Sequence, residues 1–332
     1  MRAPIKNRVA IFLVLLAATS SVAQQPAPAR TSSKAVLWTD PRDIRSRNLY
    51  WGPGGEQHQP KPPFEFIQED PQGTNPKLDV RDSKDKKWGV KLGAEAHPEV
   101  AASRLMWAVG YAANENYFAA QLQVSNLPRL RRGQNYVQDG GNLLNVRLQR
   151  HLPGEKRTTP WDWRHNPFYG TREWNGLRVM MGLIRNWDLH GANNAIFEDD
   201  SGRQIYAVTD VGTAFGSPGK RYTSAGSKGN LKLFRKGRLI AKVKGDSVDL
   251  NFPAMPPLLL RIFEVRFYCQ QRGMKWIGEN IPRTDAKWIG SLLAQLSPDQ
   301  IRDAFRAAGY SPDLADGFTT VLISRIEELN RL

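Results

Sequence analysis

Five residues of this 332-residue chain have the types and order needed to handle a phosphoryl group: Lys91, Glu99, Asp188, Asn193 and Asp210. Lys91 ends an apolar run, "KWGVKLG". Glu99 opens the helix-like stretch that follows, Asp188 and Asn193 stand in "DLHGAN", and Asp210 begins "DVG". A transferring phosphoryl group passes through a loose transition state, so the protein has to position reactants and neutralise charge. In that chemistry a lysine holds phosphate oxygens, a glutamate orients the lysine and one aspartate positions the attacking hydroxyl. An asparagine and a second aspartate hold Mg²⁺ or Mn²⁺.

Taken singly, each residue has an ordinary reading. A strand-end lysine reaches solvent, and a glutamate near a helix start is favoured by the helix dipole. Asp188, Asn193, Asn194 and Asp210 are residue types that form turns. His190 reads as a packed support for its loop and not as a base. Glu95 is a rival to Glu99 as partner of Lys91; Glu99 is preferred because it lies inside the helix, where its direction is fixed. Asn194 is likewise a rival to Asn193. What favours chemistry is the joint order, with chain for one short hairpin between Asp188 and Asp210.

The elements that must position these residues follow from periodicity. "FEFIQED", "KLDVRD" and "KWGVKLG" alternate as strands do and are separated by turns, which predicts a three-strand antiparallel meander from Phe64. His97-Pro98 stops the extended chain, and Val100, Ala101, Leu105, Met106 and Val109 form one apolar stripe ending at Gly110. Residues 112–170 read as loops over a few short elements. Thr171 caps a helix carrying Trp174, Leu177, Met181 and Ile184 on one face. "NAIF" and "QIYAVTD" read as a hairpin, and "NLKLFRKGRLIAKVKGDSVDLNF" as a second, basic one. From Pro256 the pattern is helical, with Ser297 a cap and Gly309 a stop.

This order resembles an atypical protein-kinase-like fold of the HipA and phosphatidylinositol 3-kinase branch. That branch has a D-x-H-x-x-N loop, which stands here as Asp188-Leu189-His190-Gly191-Ala192-Asn193. Its G-x-Q-x-K phosphate turn is similar to Gly73-Thr74-Asn75-Pro76-Lys77, with Asn for Gln. The metal motif is D-V-G in place of D-F-G, Asn186-Trp187 precede Asp188 where His-Arg would stand, and no HipA-type N-terminal subdomain is evident. The resemblance covers residues 64–215. It implies an α+β, two-lobed fold: a small antiparallel sheet plus helix at 64–125 and a mainly helical lobe at 126–332. It also implies ATP with Mg²⁺ as cofactors, Asp188, Lys91 and Glu99 as catalytic residues, and Asn193 and Asp210 as metal ligands. Gly73, Thr74, Asn75, Lys77 and Lys91 would bind the nucleotide. The expected function is phosphoryl transfer to a protein or small-molecule acceptor; the alternative is a pseudokinase or envelope-binding scaffold.

The first 23 residues have the basic start, short apolar core and Ser21-Val22-Ala23 ending of a secretory leader, followed over 24–63 by a linker and an irregular N-terminal segment. Export to the periplasm or the medium is therefore expected. The apolar run is too short to span a bilayer, and no later segment is apolar enough to do so. Cys269, the single cysteine, has no partner in the chain and reads as a buried small hydrophobe. The net charge is +15, and Lys220, Arg221, Lys228, Lys232, Arg235, Lys236, Arg238, Lys242 and Lys244 form a run without an acidic residue. Such a run suits an acidic or phosphate-bearing partner, or simply guards a solvated hairpin. Nucleic acid is disfavoured, because no compact basic helix or aromatic platform accompanies the charge.

Overall fold

The computed structural model describes residues 34–71, 73, 75–151, 156–217, 227–253 and 265–332. The leader, residues 24–33, Thr74, Lys220, Arg221 and the start of the helical stretch after Pro256 lie outside the described residues.

A two-residue strand, β1 (Ala35–Val36), begins the described chain, followed by turns and two short 3₁₀ segments. Gly52 and Gly55 there have φ of +72° and +64°, a region that favours glycine, which accounts for "WGPGG". Next come β2 (Phe64–Asp70), β3 (Lys77–Arg81) and β4 (Lys87–Leu92), paired antiparallel as the alternation predicts. Helix α1 (Ala96–Ala108) follows. The chain then builds β5 (Asn116–Ser125), β6 (Val137–Gln138) and β7 (Asn142–Arg150).

These later strands correct the loop reading of residues 112–170, and they complete the sheet. β7 pairs with both β4 and β5, and β5 pairs parallel with the start of β2, so β2, β3, β4, β7 and β5 close on themselves. Closure removes the sheet edges. Leu78, Val80, Trp88, Val90, Leu122, Val124, Val146 and Leu148 fill the inside. The alternation in β7 is broken at Asn145, whose φ is +49°, so Leu143 and Val146 both turn inward although three positions apart. The six-stranded sheet thus runs past residue 125.

The rest of the chain is mixed α/β. β8 (Lys156–Arg157), α2 (Arg172–Leu183), β9 (Asn194–Glu198) and β10 (Gln204–Val208) lead to α3 (Leu231–Phe234), β11 (Ile240–Lys244) and β12 (Ser247–Leu250). Then come α4 (Val265–Gly273), β13 (Ile281–Pro282), α5 (Arg283–Leu293), α6 (Pro298–Arg306) and α7 (Pro312–Asn330). Two further sheets, β1-β10-β9-β8 and β11-β12-β13, stand where helices were expected to dominate. The basic hairpin is only half of its expected span, because Asn230 caps helix α3 by accepting from the Leu233 N–H. Thr171 caps α2, and Ser297 with Gln300 forms a capping box on α6. Cys269 is exposed, contrary to the buried reading, because it falls on an outward face of α4.

Among the described residues there are two hydrophobic clusters. One is the interior of the closed sheet; the other gathers α1, α2, the C-terminal helices and the segment around Leu37–Leu49. Helix α1 belongs to the second. Arg104 on α1 is buried without a carboxylate and donates to the carbonyls of Tyr50, Val100 and Asn116, which straps the N-terminal segment over the helix. Burial lowers its pKa to about 10. Gln300 donates to the Ile44 and Arg47 carbonyls from the opposite side of that segment.

Candidate functional site

Lys91 sits where β4 leaves the closed sheet, opposite Lys77 on β3 and Arg147 on β7. Residues directly opposite in antiparallel strands share a face, so three cations form a row there, and like charges so placed repel. Carboxylates offset them. Lys91 Nζ lies 2.7 Å from Glu99 Oε2, 3.1 Å from Glu95 Oε2 and 3.3 Å from Asp210 Oδ1. Arg147 reaches Glu99 Oε1 at 3.1 Å, and Lys77 reaches Asp70 at 3.3 Å. Lys91 is 3% exposed, Glu99 1% and Glu95 3%. Burial works against the Lys91 charge, but Glu99 and Asp210 outweigh it and raise its pKa well above the usual value. The rivalry between Glu95 and Glu99 thus has a structural answer: both contact Lys91.

Glu95 is also bound by Lys228. Burial would push its pKa up, yet the charges of Lys91 and Lys228 bring it down to about 2. Gly212 explains part of this placement. A Cβ there would lie 2.8–2.9 Å from the Glu95 side chain, so only glycine lets Glu95 lie against the backbone after Asp210.

The "NWDLHGAN" and "TDVGT" stretches are laced together. The Asp210 and Thr209 N–H groups donate to the Asn193 carbonyl at 3.2 and 2.9 Å, and the Asp188 N–H donates to Thr213 Oγ1 at 3.3 Å. Thr213 in turn donates to Asn186, whose amide reaches the Asp210 carbonyl at 3.4 Å. Asn193 Nδ2 donates to the Asp188 carbonyl at 3.0 Å. Asn194 is turned away and buried, donating to the Trp161 carbonyl at 3.0 Å. His190 lies 3.7 Å from the Asp188 carboxylate. Burial raises the Asp188 pKa, against the pull of His190 and Asn193, and the charges of Asp210 and Glu95 add to the rise.

A cleft of about 650 Å³ opens beside these groups, lined by Gly73, Lys77, Lys91, Glu99, Asn193 and Asp210 among others. Asp188 and Glu95 adjoin it without lining it. Gly73 has φ of +73°, and Arg132 donates to its carbonyl at 2.7 Å and to that of Asp70 at 3.1 Å. Sequence reasoning missed Arg147 and Thr213, and it named Lys228 only within the basic run and Asn186 only as a departure from the motif. Arg147 was hidden with β7, and Lys228 meets Glu95 only through the tertiary fold.

Asp210 keeps its side chain 38% exposed, and no described hydrogen bond uses the Asn193 side-chain oxygen. A carboxylate and an amide oxygen suit a hard cation such as Mg²⁺.

No protein-family model matches the chain, and no curated protein is similar to it. Among solved structures it is similar to the Helicobacter pylori proinflammatory kinase CtkA, at 11% identity over 80% of this chain and 96% of that one, with a TM-score of 0.46. It is also similar to the Golgi casein kinase, at 12% identity over 86% and 78%, with a TM-score of 0.34. Both structural neighbours are kinases.

Proposed function

We propose that the chain is a two-lobed, kinase-like phosphotransferase that takes Mg-ATP into the cleft beside Lys91 and passes its terminal phosphoryl group to an acceptor hydroxyl. One observation carries the reading. Lys91, Glu99 and Asp210, drawn from the closed sheet, from α1 and from the loop after β10, meet around one buried ammonium.

In this reading Lys91 holds phosphate oxygens and Glu99 fixes its direction, while the Gly73–Lys77 turn cradles the phosphates with backbone N–H groups. Asn193 and Asp210 would hold Mg²⁺, which would supply positive charge to offset that of the phosphate oxygens. Asp188 takes the proton of the acceptor hydroxyl as the acceptor O–P bond forms and the bond to the leaving diphosphate breaks. Its raised pKa makes it a better proton acceptor than an ordinary aspartate.

The acceptor in this proposal is acidic or phosphate-bearing, a reading supported by the exposed cations Lys232, Arg235, Lys236, Arg238 and Lys242 beyond the metal loop. Export by the leader at residues 1–23 belongs to the same proposal; no described helix is long and apolar enough to cross a membrane. The test is incubation with Mg-ATP and a panel of acidic proteins, read by intact-mass spectrometry. Phosphate transfer by the wild type and none by Asp188→Asn supports an enzyme; transfer by neither removes the catalytic reading.

A further inference from the structure

The Glu95 carboxylate is bound by two cations that come from two different places. Lys91 from β4 lies 3.1 Å from Oε2, and Lys228 from the segment after Asp210 contacts Oε1. One of the two, Lys91, belongs to the machinery that the proposed function assigns to phosphate. A carboxylate and a phosphoryl group offer the same thing to such donors: an anionic fork of oxygens that accepts charge-assisted hydrogen bonds. We infer that the Glu95 carboxylate, at the margin of the cleft, competes with a phosphoryl group for the same cations, and that Lys228 is a further phosphate-binding residue. This rests on the proposed nucleotide site.

Two features beyond the contacts support it. Glu95 and Glu99 are both directed at Lys91, although one carboxylate is enough to orient a lysine; Glu99 has its own second cation in Arg147, at 3.1 Å. Glu95 is therefore spare for orientation, and Lys228 is spare for Glu99. In addition, the Lys228 side chain is 25% exposed while Lys91 is almost enclosed. Lys228 can thus release one anion and take another without leaving its position. When nucleotide arrives, Lys228 exchanges the Glu95 oxygens for phosphate oxygens, and Glu95 becomes a competitor that sets how tightly the anion is held.

The inference fixes opposite signs for two variants. Calorimetric titration of the full chain with Mg-ATP, and separately with inorganic pyrophosphate, is made on the wild type, Lys228→Gln, Lys228→Arg and Glu95→Gln, after a melting curve of each. Loss of one charge-assisted contact predicts about tenfold weaker binding of both ligands by Lys228→Gln. Recovery of most of it is predicted for Lys228→Arg, and tighter binding for Glu95→Gln. Glu95→Gln binding more weakly than wild type would make Glu95 a positioning residue and overturn the inference, as would Lys228→Gln binding like wild type. If Glu95→Gln does not fold, the Lys228 pair decides alone. A wild type that binds neither ligand removes the proposed nucleotide site itself, a result distinct from a wild type that binds while the variants disobey these signs.

Discussion

Lys91 and Glu99 are joined at 2.7 Å across the boundary between two hydrophobic clusters: Lys91 ends a strand of the closed sheet, and Glu99 opens a helix whose apolar face packs with the C-terminal helices. The pair is therefore sensitive to how the two clusters sit against each other, which is what a site at their junction requires.

Among the described residues, removing Lys91 leaves Glu95, Glu99 and Asp210 with Arg147 and Lys228 as the remaining cations. An uncompensated buried charge costs about 3–5 kcal/mol, so Lys91→Met is expected to lose turnover and to unfold at markedly lower urea. Lys91→Met combined with Glu99→Gln should be less destabilised than the sum of the two single changes. Urea titration of all three variants measures that coupling.

Gly212→Ala is expected to cost about 1–3 kcal/mol, because its Cβ would fall within 2.9 Å of the Glu95 side chain and force it outward. Gly140→Ala is the contrast: a Cβ there meets nothing within 4 Å, so its cost arises only from the +74° φ. Thermal melting compares the two, and nucleotide affinity should change for Gly212→Ala alone.

Burial holds the Asp188 pKa above its ordinary 3.8. As a base it works only when ionised, so kcat/KM should rise with pH through that raised pKa, with its acid limb above that of an ordinary aspartate. The stability sign is the reverse. The folded state keeps this proton more tightly than the unfolded state does, so stability is lost as pH rises from 3.8 through the folded pKa. Asp188→Asn removes that loss. It should lose at least about a hundredfold in turnover while melting no lower than wild type at neutral pH, as a pH–rate profile and paired melting curves would show.

Arg104→Ala leaves the Tyr50, Val100 and Asn116 carbonyls without their shared donor and is expected to cost about 3 kcal/mol. Because the strap over α1 is loosened, hydrogen exchange should quicken along Ala96–Ala108 more than along β3 and β4.

Part of the candidate site was legible in the chain. Alternation exposed β2, β3 and β4, so Lys91 could be placed at a strand end, and the D-x-H-x-x-N spacing marked Asp188 and Asn193 as candidates. Where alternation failed, so did the reading. Asn145 breaks the period of β7, which concealed both the closure of the sheet and Arg147. The choice between Glu95 and Glu99 was not a local question, because it turns on Gly212 and Lys228, which approach only in the folded chain. Cys269 was misplaced because an apolar neighbourhood in sequence does not say which face of a helix a residue occupies.

The most direct measurement is the melting temperature of the protein with and without Mg-ATP, beside the Asp210→Ala variant. Ligand that binds only the native state raises the melting temperature once it exceeds its dissociation constant. A rise in the wild type that is lost in Asp210→Ala is the predicted result. No rise with ATP or other nucleotides in the presence of Mg²⁺ would contradict a nucleotide site at Lys91, and with it the kinase-like function.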